Sequence, residues 1–399
     1  MFFNKQLKKF IQIIFSPIFF AVLVIYFRKL NLYILIMDPK GKLSQYVCYL
    51  EPELRKIEYL KKQQINLNPI IINPGAIPNK RLHEIYLRQN KIVNFYKKGF
   101  IKNVMLKLMY SLNYVGYKNV IILQNHLFAD SNWLWNDLPS TINFTNDELF
   151  EGEELLKNMG ISVKEKFILI HLREEHYYQN YVDKKRNPES SENFSIRNPM
   201  LSSYESSIRF LIKKGFKVIK TGFPGSKCNL ELDGFIDYAN NFRTEFGDIF
   251  LHAKAEFVIS GASGNFHLAS IFGTPSILTN SYHLEVIPML NSDMSLPVIY
   301  KEKSSGNILC VSKMLSLGIE LSSTDYLIKN EISLIPNSNE ELLMAIKEMY
   351  ENLYNKNFSF LPIHEENKIN KLFKKNHIAY KKQGKICRYW LQKYNHIIY

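Results

Sequence analysis

Along most of this chain, short apolar runs take turns with longer stretches in which apolar residues recur at helical spacing. The runs at 32–37, 69–72, 120–123, 167–171, 217–220, 257–259 and 276–278 have the length and Val/Ile/Phe content of buried parallel strands. Between and after them, the patterns at 45–62, 79–88, 101–112, 146–159, 199–214, 248–253, 264–272 and 339–354 predict helices. Strand and helix in alternation predict parallel sheets joined by right-handed crossovers. The pattern forms two blocks, separated by a Pro/Ser/Thr/Asn stretch at 136–145. The expectation is therefore α/β, with two doubly wound Rossmann-type domains, at 31–145 and 146–360.

The two ends depart from this pattern. Residues 10–27 carry no charge, with Lys8 and Lys9 before them and Arg28 and Lys29 after. That length is at the lower edge for crossing a bilayer, Pro17 interrupts it, and basic residues on both sides give no orientation. No small-residue cleavage site follows, which argues against a cleaved signal peptide. Residues 1–30 are expected to associate with a membrane, with a buried first helix as the alternative. From 368 to 399 the chain has nine Lys and Arg, no acid and interleaved Tyr and Trp, so 361–399 reads as a basic aromatic tail. Such a composition suits an anionic membrane surface.

Composition narrows the picture. With 46% hydrophobic and 22% charged residues the chain is globular, and 399 residues suffice for two cores. The net charge of +14 calls for an anionic partner: lipid, nucleic acid or a phosphorylated substrate. Zinc-finger, helix-turn-helix and RNP signatures are lacking, so no nucleic-acid partner is expected. Cys48, Cys228, Cys310 and Cys387 are far apart and contain no CxxC, which fits a reducing compartment. There is no GxxxxGK[ST], GxSxG or HExxH, which argues against P-loop ATPases, α/β-hydrolases and zincins.

The window 255–280 is the most informative. A strand-like run ends in Ser260, Gly261, Ala262, Ser263, Gly264 and Asn265; a helical pattern follows, Gly273 stands at its C-cap position, and Pro275 stops it. A loop of small residues offers backbone N–H groups to a diphosphate, though an ordinary tight turn has the same composition. His171 and Arg173 close another strand, and period-2 alternation puts them on one side of the chain. An Arg there can clamp a diphosphate bidentately, or pair with Glu174 or Glu175. Lys220, Thr221 and Gly222 end a further strand; Arg197 precedes a helix that starts near Pro199; Asp237 and Tyr238 are placed to meet a nucleoside or to form a structural turn. His267 is either a donor contact or a core histidine. Asp38 and His126 follow first-block strands and are the candidates for a general base.

The segment SGASGNFHLASIFGTPS resembles the donor-binding segment of GT-B glycosyltransferases, in particular the heptosyltransferase pattern carried here by Ser263, Gly264, His267, Leu268, Ala269 and Pro275. Ala262 stands where that family usually has Asp. A wider likeness over roughly 30–350 is to an uncharacterised bacterial family of glycosyltransferases from surface-polysaccharide loci. It rests on His171-Leu172-Arg173, Arg197-Asn198-Pro199 with Tyr204, Asp237-Tyr238-Ala239, Asp248-Ile249-Phe250-Leu251 and Asn337-Ser338-Asn339-Glu340-Glu341. The resemblance implies a GT-B enzyme whose two domains face a cleft, the first binding the acceptor and the second a nucleotide-sugar, at the cytoplasmic face of the inner membrane. The acceptor would be a lipid-linked or growing surface glycan. Nucleotide-sugar is then a substrate, and no cofactor is expected. No Asp-x-Asp occurs, which favours metal-independent transfer, with Arg, Lys and backbone N–H groups in place of a cation. A GT-B-shaped nucleotide-sugar epimerase and a non-catalytic scaffold of polysaccharide assembly are the competing expectations.

Overall fold

The computed structural model describes residues 25, 29, 32–37, 42–65, 67–73, 76–94, 119–122, 132–173, 196, 198–225, 230–261, 263–282, 290–317, 327, 329–355, 369, 371–373 and 384–398. The chain divides into two compact units, Met1–Leu127 and Phe128–Tyr399. The expected boundary near 145 thus moves back, because residues 128–145 belong with the second unit.

The first unit holds four parallel strands, β1 (Leu32–Ile36), β2 (Asn68–Asn73), β3 (Lys91–Asn94) and β4 (Val120–Ile122), in the order β3-β2-β1-β4. Ile34, Leu35 and Ile36 are buried, as a strand covered on both faces requires. Helix α1 (Leu43–Lys62) buries Tyr46, Val47, Leu50, Leu54 and Ile57 along one stripe. Helix α2 (Lys80–Gln89) starts at Asn79, whose side chain accepts from the backbone N–H of Leu82. The proposed membrane segment lies outside the described residues, apart from Ile25 and Lys29. Among the described residues no helix is long and apolar enough to cross a membrane.

The second unit contains a seven-stranded parallel sheet, order β13-β10-β9-β8-β5-β6-β7. Its strands are β5 (Phe167–His171), β6 (Lys217–Thr221), β7 (Phe235–Asp237), β8 (Val258–Ser260), β9 (Ser276–Ser281), β10 (Met294–Pro297) and β13 (Lys385–Ile386). β11 (Ile299–Glu302) and β12 (Ile332–Ile335) form a separate antiparallel pair. β5 is buried throughout, and its alternate residues feed two cores: Phe167 and Leu169 one, Ile168 and Ile170 the other. Helices α3 (Asn146–Asn158) and α8 (Asn339–Tyr354) open with capping boxes, Thr145 with Glu148 and Ser338 with Glu341. Between them in the chain come α4 (Glu205–Lys213), α5 (Tyr238–Asn241), α6 (Glu245–Lys254) and α7 (Phe266–Phe272). α7 ends on Gly273 at φ 74°, the left-handed cap predicted for it.

The basic tail is corrected by the packing. β13 pairs with β10, and helix α9 (Arg388–Lys393) follows. Cys387, Trp390, Leu391, Ile397 and Ile398 are buried in the second unit's larger core. Lys393 and Tyr394 bind Glu341 on α8, so part of the basic and aromatic composition is internal pairing. The lysines had hidden the apolar positions between them.

The strand order also locates a ligand edge. From β5 the chain moves outward to β6 and β7, then returns to place β8 on the other side of β5. Open α/β sheets bind ligands at the strand carboxyl ends beside such a reversal. At β5 and β8 those ends are His171 and Ser260, which are paired in register.

Candidate functional site

The edge is built from three strand ends and one loop. His171 ends β5, Thr221 ends β6, and Gly222 follows at φ 135°, a backbone region that favours glycine. A Cβ on Gly222 would lie 3.4 Å from the Leu172 carbonyl oxygen and 3.7 Å from the His171 ring. After β8, the Gly261 N–H donates to the His171 carbonyl (2.9 Å), tying the loop to β5. That loop brings Ser263 and Asn265 onto the imidazole: His171 Nε2 lies 3.0 Å from Ser263 Oγ, and Nδ1 lies 3.2 Å from Asn265 Nδ2. Thr221 Oγ1 is 3.5 Å from the same Nδ1. Asn265 stands at the N-cap of α7 yet caps nothing with its side chain, which turns to the histidines instead.

Burial governs the electrostatics. His171 is held neutral at ordinary pH: loss of solvent, then the neighbouring His252, Arg243 and Lys220, push its pKa down to about 3. Arg173, two residues past β5, is 7% exposed, and Lys220 is 3% exposed with its ammonium 3.8 Å from Asp237. Arg173 and Lys220 thus put two buried cations near the carboxyl ends of β5 and β6.

Some predicted residues serve the fold. The Ser260 hydroxyl is buried and donates to the Gly261 carbonyl. Asp237 accepts from the Asn240 backbone N–H as cap of α5 and pairs with Lys220. Tyr238 is buried and bonded to Thr244 and to Asp248 Oδ1. His267 is also buried, its ring centroid 3.9 Å from that of Phe266. Ser263, Gly264 and Asn265 are described and half-buried. Asp38, His126 and Arg197 lie outside the described residues, as does Ala262.

Sequence reasoning missed His252 and the side chains around it. His252 is fully buried on α6; its Nε2 lies 3.1 Å from Asn265 Nδ2, and its Nδ1 lies 2.6 Å from the Asp248 carbonyl oxygen. Burial lowers its pKa to about 4, although the bond to Asp248 acts the other way. Burial raises the Asp248 carboxyl to about 6 against the opposing pull of Arg243, whose guanidinium is 2.8 Å away and also lies over the Phe223 ring. The only sequence signal was the i, i+4 spacing of Asp248 and His252 on a predicted helix. Among the described residues no group of three or more His, Cys, Asp or Glu is arranged to hold a metal ion.

No family model matches the sequence. A search of curated proteins finds no match. Among solved structures, the chain is similar to a glycosyl transferase family 9 protein from Veillonella parvula, 13% identical, over 78% of this chain and 97% of that one, with a TM-score of 0.38. It is similar to the E. coli ADP-heptose LPS heptosyltransferase II, 13% identical, over 61% of this chain and 83% of that one, TM-score 0.33. A third is the dodecameric iron-containing heptosyltransferase TibC bound to ADP-D-β-D-heptose, 11% identical, over 62% of this chain and 57% of that one, TM-score 0.30.

Proposed function

We propose that the chain is a GT-B-type glycosyltransferase that moves a sugar from a nucleotide-sugar to a lipid-linked or surface-polysaccharide acceptor. One observation carries this reading: His171, Thr221 with Gly222, and Ser263 with Asn265, from three segments far apart in sequence, meet at the strand reversal beside buried Arg173. The donor diphosphate would lie against this edge. Transfer puts negative charge on the departing diphosphate, and preorganised donors in a dry site stabilise that charge as it develops. Arg173 and the Ser263 hydroxyl supply such donors without a metal ion. An epimerase reading needs carboxylates at the reacting carbon, whereas Asp237 and Asp248 are engaged with Lys220 and with Arg243 and Tyr238.

The first unit would receive the acceptor, with Asp38 or His126 as general base. The uncharged run at 10–27 and the net charge of +14 support work on an anionic membrane surface, at the cytoplasmic face. The test is a thermal-shift screen against UDP-, GDP-, ADP-, CMP- and dTDP-linked sugars, because a site ligand raises stability by mass action. One class should stabilise the protein, and Arg173→Ala should cut transfer about 10²- to 10³-fold with the fold intact. Turnover retained in a folded Arg173→Ala protein refutes the assignment. Membrane fractionation of the full chain against one starting at Asn31 tests the anchor.

A further inference from the structure

Five groups form an unbroken hydrogen-bonded line in the second unit: the Asp248 carbonyl, His252, Asn265, His171 and Ser263. The line has one direction, and it can be worked out from its inner end. A backbone carbonyl only accepts, so the 2.6 Å contact from His252 Nδ1 requires a proton on that nitrogen. His252 is neutral at ordinary pH, so its Nε2 then carries a lone pair and no hydrogen. The group facing Nε2 at 3.1 Å must therefore donate, which fixes the Asn265 carboxamide with its NH2 toward the ring. An Asn NH2 has two hydrogens. The second points to His171 Nδ1 at 3.2 Å, so that nitrogen accepts, and the Thr221 hydroxyl, 3.5 Å from it and able to donate or accept, is compatible with this. Neutral His171 must then carry its proton on Nε2 and donate it to Ser263 Oγ at 3.0 Å. Ser263 has accepted, and its own O–H hydrogen remains to be given elsewhere.

We infer that His252 is a positioning residue, which through Asn265 locks His171 in the Nε2–H tautomer and so leaves the Ser263 hydroxyl hydrogen directed at an anionic ligand. This rests on the reading of the edge as a diphosphate site. It also settles what the Ser263–His171 pair is not. A nucleophilic serine needs an unprotonated imidazole nitrogen facing its hydroxyl, and here that nitrogen carries the hydrogen. The pair is a donor to an anion, with no acyl- or glycosyl-serine step.

The test is nitrogen NMR of the full chain with labelled histidine, the ten histidines assigned by substitution, alongside calorimetry with inorganic pyrophosphate. The wild type should show His171 protonated on Nε2 only and His252 on Nδ1 only. In Asn265→Asp the carboxylate accepts, so a proton should appear on His171 Nδ1. In His252→Phe, which adds no charge, His171 should become a mixture of tautomers and pyrophosphate binding should weaken. Ser263→Ala should weaken that binding about 10- to 100-fold, the worth of a hydrogen bond to a charged group. A wild-type His171 protonated on Nδ1, or one unchanged in Asn265→Asp, overturns the relay. Undiminished pyrophosphate affinity in Ser263→Ala overturns the direction given to its hydroxyl. If the wild type binds neither pyrophosphate nor any sugar nucleotide while its tautomers are as stated, the donor-site reading fails and the relay stands. A Nδ1-protonated His171 with intact binding does the reverse.

Discussion

Both units bury polar side chains that close on one another, and the second adds a line that stays open at one end. In the first unit the groups close on one another: Tyr86 donates to Glu51, Arg55 donates to the same carboxylate at 2.9 Å, Tyr33 donates to Glu53, and Tyr46 meets His83. All sit on α1, α2 or β1. Both oxygens of Glu51 are engaged within the set. The second unit has closed sets too, such as Asp293 with Ser276 and Asn280 with Asn337, but its line through His252, Asn265 and His171 runs out to an open end at Ser263. Burial and a perturbed pKa thus do not by themselves mark a site. Tyr86 has its pKa pushed well up by burial and by Glu51, yet it is a strut. What marks the second unit is a hydrogen left over at the edge of a sheet, beside buried cations.

The sharpest way to break this contrast is to open the closed set. Glu51→Ala leaves Arg55 as a buried charge without its carboxylate, which costs about 3–5 kcal/mol. The first unit should lose that stability while nucleotide binding survives. All three tryptophans, Trp133, Trp135 and Trp390, lie in 128–399, so tryptophan fluorescence follows the second unit alone. Its denaturation midpoint should stay in place while exchange of the β1 and β2 amides accelerates. A matching fall in the tryptophan transition would mean that the two sets are energetically one.

A smaller effect is expected at Gly222. Alanine there must hold φ 135°, at about 1–3 kcal/mol, and its methyl would lie against the Nδ1 edge of His171. Tryptophan-detected stability should drop and pyrophosphate affinity should fall with it. Unchanged affinity would detach Gly222 from the site.

The most gradual effect, spread over two pH units, is acid sensitivity. His171 and His252 have folded pKa values near 3 and 4, below the ordinary 6.5, so between those limits the unfolded chain binds their protons and the native one does not. Stability from both is complete above pH 6.5 and is lost as pH falls. Asp248 opposes them, because its raised carboxyl, near 6, protonates first in the native state. Near pH 5 two protons against one leave a net loss of about 1.4 kcal/mol per pH unit of acidification. Denaturant midpoints between pH 6.5 and 4.5 check this. In His252→Phe the two opposing groups cancel and that slope should flatten.

Part of this was legible in the sequence. The β5 run FILIH is wholly apolar until its last residue, and its bounds are those expected. The same holds for α8, where a capping box precedes a long amphipathic stretch. β10 to β13 read MSLP, IYKE, ISLI and KI, too short and mixed to stand out, and only the neighbouring strands give them a place. At the site, His171 and the Ser/Gly loop could be found because strand ends and glycine loops have local signatures. His252 could not. It lies on a helix, 13 residues from the Asn265 it orients, and only the packing of α6 against α7 brings them together. Tyr238 shows the converse: a polar residue after a strand reads as a ligand contact, and the turn into α5 brings its hydroxyl to Asp248 on α6.

The pairing of Ser295 with Ile386 has a consequence for synthesis. On the side of β10 facing away from β9, the backbone groups have no neighbour in the sheet until the chain reaches residues 385–386. A nascent chain emerging from the ribosome would therefore carry an open strand edge through the making of β11, β12 and α8. Such an edge invites pairing with another copy. The final short strand and α9 act as a latch that shuts it, so a message cut shortly before that point should yield aggregate rather than a slightly shortened protein.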